Sequence, residues 1–95
     1  MDKNGNPIKR GDTVQIEGGY FKADNGIWRV EHAPGDPGWL GKDWSLRKLN
    51  KDGSLSTCKY NICFWPLMVT VSSRDKRIAA KQHNAKCATI EVLAN

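Results

Sequence analysis

No stretch of this chain is apolar for long enough to cross a bilayer. The longest candidate, Ile62 to Val71, is interrupted by Pro66 and Thr70 and is about half of the ~20 residues that a spanning helix requires. No membrane contact is expected. Met1-Asp2-Lys3-Asn4-Gly5 lacks a basic and then apolar leader, which predicts a cytoplasmic protein. Histidine is scarce, with only His32 and His83 present, and a nucleophile needs both a base and a group that orients it. His32 follows Glu31 in a predicted strand, so their side chains should diverge, while His83 and Cys87 sit four apart on a predicted helix with no oxyanion loop in sight. Glycine-rich phosphate loops and carboxylates paired at metal-binding spacing are missing too. A catalytic function is therefore not expected, and neither is a cofactor.

Cysteine is sparse and odd in number: Cys58, Cys63 and Cys87. Without a leader this argues against a disulfide framework and for buried reduced thiols. Together with His83 the three have the composition of a closed Cys3His zinc site. The spacing opposes it, because Cys58 and Cys63 in one continuous strand would point to opposite faces.

What is present is one domain's worth of chain. Ninety-five residues, 39% hydrophobic and 26% charged, suit a single modest core and are too apolar for a disordered tail. The net charge is +5, which points first to polyanions or to an acidic protein surface. It is unevenly placed. Residues 72–95 carry Arg74, Lys76, Arg77, Lys81 and Lys86 against Asp75 and Glu91, a net +3, and the remaining 71 residues are nearly balanced.

Along the chain, Thr13 to Glu17 alternates polar and apolar and reads as a strand with Val14 and Ile16 inward. Tyr20 to Gly26 is a loop, and Ile27 to His32 a second strand with Trp28 and Val30 on one face. Ala33 to Gly41 holds two prolines and three glycines and cannot be regular. Trp44 to Leu49 is the next strand, Asn50-Lys51-Asp52-Gly53 a hairpin turn, and Ser54 to Tyr60 its returning partner. Leu67 to Val71 is the clearest alternating strand. Ser72 with Asp75 resembles a capping box, and a helix over about 73–86 follows. Thr89 to Val92 is the last strand. The fold class is thus mainly β with one helix inserted before the last of five or six short strands, and strands at this spacing indicate a small, partly open barrel.

Gly11-Asp12-Thr13-Val14-Gln15-Ile16, a loop, and then Asn25-Gly26-Ile27-Trp28-Arg29-Val30 resemble the opening of SH3-like barrels of the KOW type, over the first third of the chain. The resemblance implies binding to RNA, DNA or a protein surface, without catalysis. In overall style the chain is similar to small orphan proteins of phages and bacterial mobile elements.

The residues themselves offer two binding features. On the helix, Arg74, Arg77 and Lys81 fall within about 60° of one another, flanked by Asn84. Such a stripe suits phosphates or carboxylates, with Ile78 and Ala85 packed beneath it if it is merely a solvent face. In the loops, Trp39 is either a presented stacking platform or an aromatic folded back to cap a barrel end, and Tyr20 with Phe21 lies where the resemblance puts ligand. The expected function is docking of the basic helix and loop aromatics on nucleic acid or a nucleoprotein. The alternative is a phage-type anti-defence inhibitor, anti-CRISPR-like, or an adaptor that binds one host protein through an acidic surface. An open edge near Pro66 that pairs with its twin is a third expectation.

Overall fold

The computed structural model describes residues 1–58, 61–66 and 74–93, with Arg74, Lys76 and Arg77 described in their backbone only. The protein is mainly β. Its elements are β1 (Thr13–Glu17), β2 (Gly26–His32), β3 (Trp44–Lys48), β4 (Ile62–Trp65), a helix α1 (Arg74–Lys86) and β5 (Thr89–Val92). All pairings are antiparallel, in the order β4-β3-β2-β1-β5. The strands expected at Thr13–Glu17, Ile27–His32, Trp44–Leu49 and Thr89–Val92 form within a residue of those bounds, as does the helix before the last strand. Among the described residues β4 and β5 are the two edge strands and do not pair with each other. The sheet of the described residues is therefore not closed. The predicted strand Leu67–Val71 and the capping serine Ser72 lie outside the described residues.

Alternation decides which face is buried. Val14 and Ile16 of β1, Trp28 and Val30 of β2, Leu46 of β3, Cys63 and Trp65 of β4 and Ile90 of β5 all point inward. Each strand thus contributes every second residue to one core. Trp44 packs against it and donates its indole N–H to Ile8 O at 3.0 Å.

Two departures from simple alternation matter. Val30 pairs with Leu46 but His32 pairs with Ser45, so two residues of β2 oppose one of β3. This bulge turns His32 to the outer face beside Glu31, where a regular strand would have sent it inward. The expected divergence of the two side chains does not occur. The second departure is the hairpin partner. The turn at Asn50–Gly53 forms, closed by Gly53 N–H to Asn50 O at 3.0 Å, yet Ser54–Cys58 keeps only the bridge Leu49–Leu55. The partner of β3 is Ile62–Trp65 instead. Asn61 accepts from Lys48 N–H and binds Ser56 O through its own amide, which bends the chain and sets that register.

The N-terminal arm covers the β5 edge. Lys3 N–H donates to Ile90 O at 2.9 Å, and the buried Asp2 carboxylate accepts from the N–H groups of Val92, Asn6 and Asn4. The Val92 N–H, opposed by burial and joined by those of Asn6 and Asn4, holds the Asp2 carboxyl below its ordinary 3.8. A depressed carboxylate stabilises the fold above its unfolded pKa, and that contribution is lost as pH falls through the folded value. Asp2→Ala should therefore lower the unfolding midpoint at pH 7, and the deficit should shrink as pH falls from the ordinary carboxylate range to below it. Urea titrations at pH 7 and about pH 2.5 check this.

Candidate binding surface at the β1–β2 end of the sheet

The loop between β1 and β2 is built as a rigid piece. Residues Lys22–Asp24 form a short 3-10 helix. Gly19 N–H donates to Asn25 Oδ1 at 2.8 Å, and Trp28 Nε1–H donates to Asp24 O at 3.1 Å. The Lys48 ammonium, 4.7 Å from the centre of the Trp28 ring, donates to Ala23 O and Asn25 O. Burial in this seat holds Lys48 below the ordinary lysine value, against the pull of Cys63, Asp24 and Cys58. It is a structural cation rather than a ligand contact.

Helix α1 docks on the same loop through its C-terminal half. Gly18 has φ +73°, and a Cβ there would lie 2.9 Å from Cys87 O. Only glycine allows this approach. His83 Nε2 lies 2.9 Å from Gly18 O; a carbonyl only accepts, so Nε2 carries the proton. Tyr20 N–H donates to Asn84 Oδ1 at 3.0 Å. Gly18→Ala should cost more than ~1 kcal/mol, because it strains a left-handed residue and pushes the helix off the loop. Faster hydrogen exchange confined to α1, beside a lowered urea midpoint, is the expected signature.

These contacts fix an exposed aromatic. Tyr20 is 50% exposed. Its ring meets Phe21 edge-on at 4.7 Å and 74°, and His83 at 5.6 Å and 69°. Lys22, Lys81 and Lys86 are exposed on the loop and helix that carry this cluster. Sequence reasoning points to Tyr20, Phe21 and Lys81 but nominates His83 only as a metal ligand; its place beside Tyr20 becomes visible only once the helix is docked.

Other expected site residues are placed differently. Asn84 is 2% exposed, so it orients the Tyr20 loop from within and does not flank an exposed stripe. Ala80 and Asn84 form the packed side of α1, whereas Ile78 and Ala85, expected beneath it, are exposed. The helical period puts Lys81 and His83 on opposite flanks of Asn84. The side chains of Arg74 and Arg77 lie outside the described residues.

Trp39 belongs to the opposite end. It follows β2 at His32, about 20 Å along that strand from Gly26. The indole is parallel to His32 at 5.1 Å and to Phe64 at 6.0 Å, and it donates Nε1–H to Asp43 O at 2.8 Å. His32 and Phe64 both pair with Ser45, one from each side. Trp39 therefore lies over Ser45, which explains why that outward-facing serine is only 8% exposed. A Cβ at Gly41 would come within 2.8 Å of the indole, so the loop is shaped to receive it. Trp39 is folded back onto the outer face of the sheet, with both ring faces engaged. It is not a presented platform, and the composite of helix, Tyr20 and Trp39 does not assemble.

The zinc set does not assemble either. Among the described residues no three His, Cys, Asp or Glu side chains come together as a metal site. Cys58 and Cys87 are exposed and Cys63 is buried, and burial pushes the Cys63 thiol well above its ordinary value. It is a core residue. No described helix is long and apolar enough to cross a membrane. Compared with protein-family models, curated proteins and solved structures, the chain matches none.

Proposed function

We propose that this chain is a non-catalytic binding protein whose β1–β2 end docks on single-stranded nucleic acid, free or within a nucleoprotein. The observation that carries the reading is the half-exposed Tyr20, held by the buried Asn84 and edged by Phe21 and His83. A solvent-exposed ring that is already ordered loses little entropy when a base stacks on it. Lys22 and Lys86, exposed on the same loop and helix, supply phosphate contacts, with Lys81 on the helix's other flank and Arg74 and Arg77 further along it. Unpaired bases are the natural fit because stacking on a side chain requires an accessible base face. A meander whose last strand returns beside its first is how a small sheet curls toward closure, which supports the SH3-like reading of the fold.

Fluorescence anisotropy with a labelled single-stranded oligonucleotide tests this directly. Replacing Lys22, Lys81 and Lys86 together by Glu should lower affinity at least tenfold at low salt, and should flatten its dependence on salt by about one unit of slope for each phosphate no longer neutralised. Unchanged binding in that variant rejects the reading. Capture of one stoichiometric protein after nuclease treatment would instead favour the anti-defence inhibitor.

A further inference from the structure

We propose that Arg29 and Arg47, side by side on the outer face of the sheet, form a binding site for a phosphate group. The two are direct cross-strand partners on β2 and β3. Thr13 pairs with Arg29 on one side and Ile62 with Arg47 on the other, so the two guanidinium groups stand in the middle of a four-strand row. Like charges directly opposite each other weaken a sheet. Compensation within the chain is partial. The Glu31 carboxylate is 3.4 Å from Arg47 Nε, but that nitrogen is buried without a hydrogen-bond partner. The Arg29 side chain forms no ion pair or hydrogen bond among the described residues.

Two arginines directly opposite on neighbouring strands can bring their guanidinium forks to the oxygens of a single phosphate, each fork donating two N–H bonds. An anion there removes the repulsion between Arg29 and Arg47 and supplies the partner that Glu31 does not. The neighbouring row is the His32–Trp39–Phe64 stack. This locked apolar wall beside the arginines keeps water from one side and so strengthens charge-assisted bonds. The bulge that turns His32 outward beside Glu31 and the loop that carries Trp39 back thus both border the arginine pair.

The same chemistry belongs to a nucleic-acid phosphodiester and to free inorganic phosphate. The first source rests on the function proposed above, and the second does not. The test uses the full chain, with Arg29→Gln, Arg47→Gln and the double variant. Thermal unfolding is compared in inorganic phosphate and in chloride at equal ionic strength, and oligonucleotide affinity is measured across salt. Ligand-free Arg29→Gln should unfold at or above the wild-type temperature, since a repulsion has been removed, which shows that the variant is folded.

If the site takes the nucleic-acid backbone, the double variant should bind oligonucleotide about fivefold or more weakly, with a salt slope shallower by about one to two. If it takes free phosphate, phosphate should raise the wild-type midpoint and leave the double variant unmoved. Wild-type and double variant behaving alike in both assays overturns the proposal, even where the lysine variants fail to bind oligonucleotide and the function stands. Phosphate stabilisation specific to the wild type, with no oligonucleotide bound at any salt, overturns the function and keeps the site.

Discussion

Trp28→Ala should remove about half of the protein's stability at 25 °C. The side chain is fully buried in β2, which is flanked by β1 and β3 in the middle of the sheet. Truncating a buried Trp to Ala costs about 3–5 kcal/mol through the forfeited transfer energy and the cavity left behind. A chain of this size has a total stability of about 5–10 kcal/mol. The damage also reaches the binding end. The indole N–H holds Asp24 O and the ring underlies the Lys48 ammonium, which in turn ties Ala23 and Asn25. Removing the ring leaves a partly buried cation without its seat. Trp28→Phe keeps most of the packing and should cost far less, chiefly the indole hydrogen bond and the unfilled volume. Urea unfolding followed by circular dichroism separates the two: a midpoint lowered by about half for Ala and a much smaller downward shift for Phe. Equal, small shifts would mean that the loop is not anchored through this residue.

Strands with clean alternation are legible from residues alone. Val14 and Ile16, Trp28 and Val30, and Ile90 and Val92 announce an inward face, and the stretch from Arg74 to Lys86 is free of Gly and Pro. Ile62-Cys63-Phe64-Trp65 is hidden for a physical reason. The period-2 signal requires the outward positions to be polar, and here Phe64 faces outward yet is covered by Trp39, so the strand reads as a continuous apolar run. The bulge at Glu31 and His32 leaves no local mark in composition; it emerges from register. The same holds for the Arg29–Arg47 pairing, whose members lie 18 residues apart. At the candidate surface, exposed Tyr20 and Lys81 can be nominated from sequence. The inward turn of Asn84 cannot, because periodicity fixes relative angles on a helix and says nothing of which side meets the fold. Trp39 shows the converse: a Pro/Gly loop signals that an aromatic is held in place, without saying whether it is held outward or back.

Tyr20→Ala should abolish most of the nucleic-acid affinity while leaving the fold intact. Its ring is half exposed and contributes little to the core, and the hydrogen bond to Asn84 comes from its backbone N–H and survives the substitution. Stacking of one base on an aromatic side chain is worth about 1–3 kcal/mol, which corresponds to roughly 5-fold to 150-fold in affinity. Tyr20→Phe should bind nearly as well, since the stacking surface is kept. The charge term behaves differently: lysine substitutions change the salt slope, whereas Tyr20→Ala should shift affinity equally at every salt concentration. The most direct measurement is an anisotropy titration of a labelled single-stranded oligonucleotide with wild type, Tyr20→Phe and Tyr20→Ala, from low to physiological salt. Binding should weaken steeply with salt in all three, with Tyr20→Ala displaced downward in parallel and Tyr20→Phe close to wild type. Equal affinity of Tyr20→Ala and wild type, or no binding by the folded wild type even at low salt, would rule out Tyr20 as a stacking platform for nucleic acid.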